Sequence, residues 1–352
     1  MTTVTVKASR TYDVTIGRGL LAQVGKEAAR LLKGRSAAVV TDSNVAPLYL
    51  DRVKDALEGE GFRVCTFVFP AGEASKNGAT YLNLLEFLAR EQITRTDGLV
   101  ALGGGVVGDL TGFAADTFLR GIGFLQLPTT LLAAVDASVG GKTAIDLQGG
   151  KNLAGAFYQP LGVLCDLDTL DTLPPETFAD GCAEVIKYGM IGGPDLLAKL
   201  EQGTFRQDPE EIVARCIAMK RDLVEQDEFD TGARQLLNLG HTIGHGIEAC
   251  SGYTLSHGKA VAIGMALVTG GAAAFGLCPA EVLPRLKRLL QRYDLPVETA
   301  YSSAELYEKT LSDKKRTGDT IQLVVPTAWG RSVLHRVPVR QLEDWITKGA
   351  AQ

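Results

Sequence analysis

The chain has 352 residues, 45% of them hydrophobic and 22% charged, with 36 Lys+Arg against 41 Asp+Glu, a formal net charge of −5 and a pI near 5.5. That length exceeds one compact core and suits two domains, and the acidic balance argues against nucleic acid as the main partner while leaving room for a local basic pocket. No apolar run approaches the ~20 residues of a membrane span, and Met1 to Thr15 lack the basic-then-apolar pattern of a signal peptide. Cys65, Cys165, Cys182, Cys216, Cys250 and Cys278 are scattered without a CxxC pair, as expected of reduced thiols in a cytoplasmic protein.

In chain order, a first strand is expected at Val4 to Val6. The apolar run Ala37 to Thr41 then meets a helix start at Asp42-Ser43-Asn44. Two similar units follow: Arg63 to Phe69 running into Ala71-Gly72-Glu73-Ala74-Ser75-Lys76, and Gly98 to Leu102 running into Gly103 to Asp109. Short apolar runs alternating with helical patterns such as Tyr81 to Arg90 predict an open, mostly parallel sheet, whose ligands gather at the strands' carboxyl ends. Gly103, Gly105 and Gly108 fit G-x-G-x-x-G directly after a strand, the turn that brings backbone N–H groups to a pyrophosphate. The plain alternative is a tight strand-to-helix turn needing glycine for its dihedral angles alone. The acid that usually follows about twenty positions on is replaced by Gln126-Leu127-Pro128-Thr129-Thr130. Asp42 and Glu73, at the ends of the two preceding strands, are the candidates to hold ribose hydroxyls.

Between Arg120 and Asn152, two glycine-led turns, Asp136 to Thr143 and Gly149 to Asn152, each deliver a lysine, Lys142 and Lys151. Glycine beside lysine suits a phosphate or carboxylate, although a lysine in a loop is ordinarily just solvated. The domain boundary is expected between Thr169 and Glu176, dividing the chain into an α/β Rossmann-like domain, residues 1–172, and an all-α domain, residues 173–352. Glu184 and Lys187 share a face of the apolar helix Cys182 to Met190, and a buried Glu calls for a metal or a cation. Lys220 lies fourteen residues before Arg234. Asp313-Lys314-Lys315-Arg316, a charge run of the kind usually found on a solvated loop, precedes a strand from Thr320 to Val325.

Three of the four histidines fall between Arg234 and His257. Read as one helix, this stretch places Arg234, Asn238, His241, His245 and Glu248 within an arc of roughly 80°. A polar stripe on so apolar a helix needs partners. Glu184 with two of His241, His245 and His257 makes a two-nitrogen, one-oxygen set with an open position, a usual composition for catalytic Zn²⁺. Which two is left open by the spacing.

The glycine turn Gly103 to Asp109, the run Leu127 to Ala133, Asp136 to Lys142, Gly150-Lys151-Asn152, Glu184-Val185-Ile186-Lys187, Leu237 to His245 and His257-Gly258 occur in this order. In combination they closely resemble the 3-dehydroquinate synthase family, over about Asp42 to Lys315. The resemblance implies a Rossmann-like N-terminal domain, a helical C-terminal domain, bound NAD, a divalent metal (normally zinc, with cobalt an alternative) and a homodimer. It assigns the metal to Glu184, His241 and His257. It assigns NAD to Asp42, Gly72, Glu73, Lys76, Gly104, Gly105, Val106, Val107, Gly108, Asp109, Thr129, Thr130, Lys142, Lys151, Thr169, Leu170 and Thr172. Substrate falls to Asp136, Lys142, Asn152, Lys187, Lys220, Arg234, Asn238, His245 and Lys314 or Lys315, with Arg120 reaching across from a partner subunit. Ala71 and Lys259 depart from the family's common Asp and Glu, and Lys259 sits beside a proposed ligand, where it could shift that ligand's supporting contacts.

The chemistry so implied is redox neutral: the cofactor withdraws a hydride from a small anionic sugar phosphate, phosphate leaves by β-elimination, the hydride returns, and ring opening and an aldol step close the carbocycle. A glycerol-dehydrogenase-like oxidoreductase would instead release NADH, a sister cyclase would accept a heptulose phosphate without a carboxylate, and an NAD-binding regulator would have no turnover.

Overall fold

The computed structural model describes residues 1–205, 207–310, 316–317 and 319–352, so Lys314 and Lys315 lie outside the described residues. In chain order the elements are β1 Thr2–Lys7, β2 Thr11–Gly17, α1 Val24–Leu31, β3 Ser36–Asp42, α2 Ala46–Glu58, β4 Arg63–Phe69, α3 Gly78–Arg90, β5 Gly98–Gly103, α4 Gly105–Thr117, β6 Gly123–Pro128, β7 Lys142–Leu147, β8 Gly150–Phe157 and β9 Gly162–Asp166. These are followed by α5 Pro175–Gly192, α6 Pro194–Gln202, α7 Pro209–Gln226, α8 His241–Cys250, α9 His257–Ala274, α10 Val282–Arg292, α11 Ser303–Thr310, β10 Arg316–Thr317, β11 Thr320–Ala328, β12 Arg331–Pro338 and α12 Leu342–Ala350. Two compact units emerge: Met1–Leu173 with Val213–Phe229, and Pro174–Ile212 with Asp230–Gln352.

The first unit is built on a seven-stranded sheet in the order β1-β2-β9-β6-β5-β3-β4, parallel except for the β1–β2 pair. Along β3 the side chains alternate between two cores: Ala37 and Val39 pack with Leu57 of α2 and Val24 of α1, whereas Ala38 and Val40 pack with Leu84 of α3 and Leu110 of α4. A sheet covered on both faces needs apolar residues at successive positions, and this is why its strands read as continuous hydrophobic runs. The order reverses between β3 and β5, so the loops leaving Asp42 and Gly103 diverge and open a crevice at the strands' carboxyl ends. β7 and β8 form a separate antiparallel hairpin, which the loop reading of those glycines did not anticipate. Residues Val213–Phe229 fall beyond the expected boundary yet group here. Glu225 accepts the Lys7 N–H (2.7 Å), and Glu228 accepts from the Ser9 N–H (2.8 Å), the Ser9 hydroxyl (2.6 Å) and the Gln159 amide (2.8 Å).

The second unit is largely helical and surrounds α9. Fourteen of its eighteen residues are buried, and a helix apolar on every side has to sit at the centre of its unit; α5, α8, α10, α12 and β11 pack around it. The unit also carries a three-stranded antiparallel sheet, β10-β11-β12, of which the sequence reading anticipated the middle strand. Among the described residues no helix is long and apolar enough to cross a membrane.

Candidate active site

One part of the expected geometry is corrected. Arg234 and Asn238 lie on a short 3-10 segment, Ala233–Asn238, and the α-helix begins only at His241. Between them Gly240 adopts φ 80°, and a Cβ there would come within 2.6 Å of the Val261 carbonyl. The run is therefore two pieces joined at a glycine pressed against α9. Only His241, His245 and Glu248 keep the helical spacing.

Within the second unit three elements converge. α5 contributes Glu184, 1% exposed, with Lys187 one turn on, equally buried and ion-paired to Glu184 Oε2. α8 contributes His241 and the first turn of α9 contributes His257; both Nε2 atoms stand 3.5 Å from Glu184 Oε1. One ligand atom from each of the three residues lies within 4.8 Å of the others. Both Glu184 oxygens are buried, Oε2 against the Lys187 ammonium, and Oε1 makes no hydrogen bond among the described residues. A carboxylate oxygen so placed, faced by two imidazole nitrogens too distant for good hydrogen bonds, fits a cation seated between them. Burial works against a charged His257 ring, yet Glu184 and Glu248 outweigh it and push its pKa up to about 10, so the pocket's field favours a positive charge.

The start of α9 is held by a residue the sequence reading passed over. Asp180, one turn before Glu184 on α5, accepts from the Ser256 hydroxyl (2.6 Å) and the Lys259 N–H (3.2 Å). Gly258 lets this happen, because a Cβ there would lie 2.3 Å from the Asp180 carbonyl oxygen. Lys259, the unusual neighbour of His257, makes this contact through its backbone N–H, which any residue at that position supplies. His245 completes the imidazole group, its ring centroid 5.6 Å from that of His241 and 6.1 Å from that of His257. Arg234 is buried to 1%, and Asn238 lines a small cavity with Gly240, Thr242 and Gly264.

Within the first unit, Lys76 is the centre of a second cluster. Its side chain is 5% exposed, its Nζ lies 3.1 Å from Glu73, 3.2 Å from Asp109 and 3.9 Å from Asp146, and Lys151 approaches Glu73 at 3.8 Å. Burial alone would lower the lysine's pKa, but the three carboxylates raise it. Burial pushes Asp109 up to about 6 despite Lys76. Asp146, absent from the expected site, also takes the Asn152 N–H at 2.8 Å and donates its own N–H to the Lys76 carbonyl at 2.7 Å. Asn152 sits at φ 54°, a left-handed conformation that Asn tolerates better than most residues.

The glycine turn opens α4 after β5 as expected. Gly104 is extended and Gly105 is the first helical residue, while a Cβ on Gly108 would stand 2.8 Å from Gln126 Oε1, so the third glycine serves close helix-to-strand packing. Val106 and Val107 occupy the first turn, with Val107 in the core. Past β6, the Thr129 hydroxyl is buried and makes no hydrogen bond among the described residues, and Thr130 Oγ1 accepts the Ala133 N–H at 3.1 Å. Asp42 turns its carboxylate onto its own loop, accepting from Asn44 N and Val45 N (2.8 and 3.0 Å). Gly72 lies at φ 108° with open space where a side chain would stand. Thr169, Leu170 and Thr172 lie on the 3-10 turn Leu167–Thr172, where Tyr49 meets the Thr172 hydroxyl.

Asp136 and Lys220, expected at the same ligand, do meet: Lys220 Nζ pairs with the Asp136 carboxylate and with its carbonyl at 2.5 Å. Asp136 belongs to the π-turn Ala133–Ala137, an irregularity that recurs at functional sites. Lys142 is exposed at the start of β7. Arg120 is exposed at the end of a turn in which Leu119, Arg120 and Gly121 all have positive φ.

Family models described as 3-dehydroquinate synthase N-terminal and 3-dehydroquinate synthase C-terminal match residues 66–180 and 181–316. The chain is 43% identical over 344 residues to the 3-dehydroquinate synthase of Streptococcus gordonii, covering 96% of this chain and 97% of that one. Among solved structures it is similar to 2-deoxy-scyllo-inosose synthase complexed with carbaglucose-6-phosphate, NAD⁺ and Co²⁺ (26% identity, TM-score 0.87, 98% of this chain and 99% of that one). It has the same fold as the 2-epi-5-epi-valiolone synthase of Streptomyces hygroscopicus subsp. jinggangensis 5008 with NAD⁺ and Zn²⁺ bound (24% identity, TM-score 0.88, 99% of each).

Proposed function

The chain belongs to the 3-dehydroquinate synthase family, and from that premise we propose that it converts 3-deoxy-D-arabino-heptulosonate 7-phosphate to 3-dehydroquinate and phosphate, with no net oxidation. The observation that carries the reading is its relatedness to a 3-dehydroquinate synthase along nearly the whole length of both chains. The catalysis uses NAD and a divalent metal, Zn²⁺ or Co²⁺; when bound, they supply a reversible hydride exchange and a Lewis acid that acidifies a coordinated hydroxyl.

Glu184, His241 and His257 would hold the ion. Lys187, Lys220 and Arg234 would take the substrate carboxylate and ring hydroxyls; Lys142, Asn152, Asn238 and His245, with Arg120 of a partner subunit, would recognise phosphate or carboxylate. The Gly72–Lys76 turn, the start of α4, Thr129, Thr130, Lys151 and the 169–172 turn would bind the dinucleotide. What supports the cofactor assignment is the third glycine seated on Gln126 and the unsatisfied Thr129 hydroxyl. The leaving phosphate can take the proton released in its own elimination, so no protein base is required there. The working form is a cytoplasmic homodimer.

Incubation with the heptulosonate phosphate, NAD⁺ and Zn²⁺ tests this. One phosphate should appear per carbocycle formed, with no accumulation of NADH. Stoichiometric NADH would indicate an oxidoreductase, and turnover of a heptulose phosphate without a carboxylate would indicate a sister cyclase.

A further inference from the structure

Each imidazole has two nitrogens, and in the neutral ring one donates while the other accepts. Which nitrogen presents its lone pair to an ion is therefore set by what accepts the hydrogen bond of the other. For His241 that partner is the backbone: Nδ1 stands 3.1 Å from the Leu239 carbonyl, which accepts only, so Nε2 is left as the lone-pair atom facing Glu184. His257 is partnered differently. Its Nδ1 instead stands 3.4 Å from Oε2 of Glu248, a residue buried to 2% on α8. The two rings thus aim Nε2 at one Glu184 oxygen, 3.5 Å from each.

We propose that Glu248 is a positioning residue for the metal pocket: it takes the Nδ1 proton of His257, fixes the ring's tautomer and orientation, and raises the basicity of the nitrogen that ligates the ion. The inference rests on the metal reading above. Glu248 itself stays outside the ligand set, because its carboxylate faces the opposite edge of the ring from Glu184. An unrestrained ring can turn and offer the wrong nitrogen. The carboxylate also adds negative charge on the far side of the imidazole, so the ligand nitrogen draws the ion more strongly than a neutral acceptor would allow.

The test uses the full chain stripped of metal, with Zn²⁺ affinity read by competition with a chromophoric chelator. Glu248→Ala should weaken Zn²⁺ binding on the order of 10- to 100-fold, and the isosteric Glu248→Gln, whose carbonyl still accepts the hydrogen bond but carries no charge, should lose about tenfold. A purely structural role predicts no loss in Glu248→Gln, which keeps the side chain's shape, so this variant decides the matter where Glu248→Ala fails to fold. Imidazole ¹⁵N resonances of the Zn²⁺-loaded parent should show His257 protonated at Nδ1, and that signature should be lost in Glu248→Ala. If the parent binds Zn²⁺ and both folded variants bind it as tightly, this inference is wrong and the metal reading stands. A parent that binds no divalent ion would remove both.

Discussion

The Lys76 knot and the Glu184 pocket are built with opposite charges at their centres. In the first unit a buried ammonium is ringed by Glu73, Asp109 and Asp146; in the second a buried carboxylate is ringed by an ammonium and two imidazole nitrogens. The difference decides what each can accept. The knot holds its own counter-charge, and through Asp146 it ties the Lys76 carbonyl and the Asn152 N–H together. The pocket faces one carboxylate oxygen with two imidazole nitrogens, each 3.5 Å away. That arrangement suits a cation from outside.

Removing the central charge from each should therefore fail in different ways. Glu184→Ala should abolish stoichiometric metal binding and lower turnover on the order of 10³-fold, reflecting the several kcal/mol a bound metal contributes. Breaking its buried pair with Lys187 from one side should also cost about 3–5 kcal/mol of stability. The double variant Glu184→Gln/Lys187→Met should recover much of that stability and none of the metal, as metal analysis and urea unfolding would show. Recovery of metal would mean that the carboxylate is structural and the comparison wrong. Lys76→Met should cost a similar 3–5 kcal/mol by leaving three carboxylates facing one another, and should weaken NAD⁺ binding while sparing metal content. Equal loss of metal would show that the two clusters are not independent.

Much of this was legible in the sequence. Buried parallel strands announce themselves by continuous apolar runs, and polar side chains one helical turn apart, such as Glu184 with Lys187 and His241 with His245, announce themselves by spacing. What escaped acts across chain separation or through a close approach. Asp180 accepts the Lys259 N–H and Asp146 donates its own N–H to the Lys76 carbonyl, each holding a segment remote in sequence, and a single acid on a helix or a strand carries no periodic mark. The break at Gly240 was invisible because its cause is the Val261 carbonyl 2.6 Å from where a Cβ would stand, whereas the local pattern reads helix straight through. The 3-10 start of that run also kept Arg234 and Asn238 off the face that the 3.6-residue period assigns them.

Gly258 gives the comparison a steric test. Gly258→Ala puts a methyl 2.3 Å from the Asp180 carbonyl, where backbone has to move, at about 1–3 kcal/mol. The displaced element is the first turn of α9, so Zn²⁺ affinity should fall together with stability, while NAD⁺ binding should hold. If the melting temperature falls and Zn²⁺ affinity does not, the position of His257 is not set by its contact with α5.

The smallest expected effect is electrostatic and belongs to the knot. Asp109 is raised from the ordinary 3.8 to about 6, chiefly by burial. A carboxyl whose folded value exceeds its unfolded one binds its proton more tightly in the folded state, so its contribution to stability is fully present below about pH 4 and is lost as the pH rises through about 6. Glu73 runs the other way. Burial works to raise it, but the charges of Lys76 and Lys151 hold it below its ordinary value, so its contribution is lost only as the pH falls through that lower value, outside a pH 5 to 7 window. Measured without added NAD⁺, the unfolding free energy of the parent minus that of Asp109→Asn should therefore decrease from pH 5 to pH 7, by on the order of 1 kcal/mol. Taking the difference cancels groups remote from Asp109, which are common to both proteins. A flat difference would mean that Lys76 keeps Asp109 ionised throughout, and that the knot carries its full negative charge before any cofactor arrives.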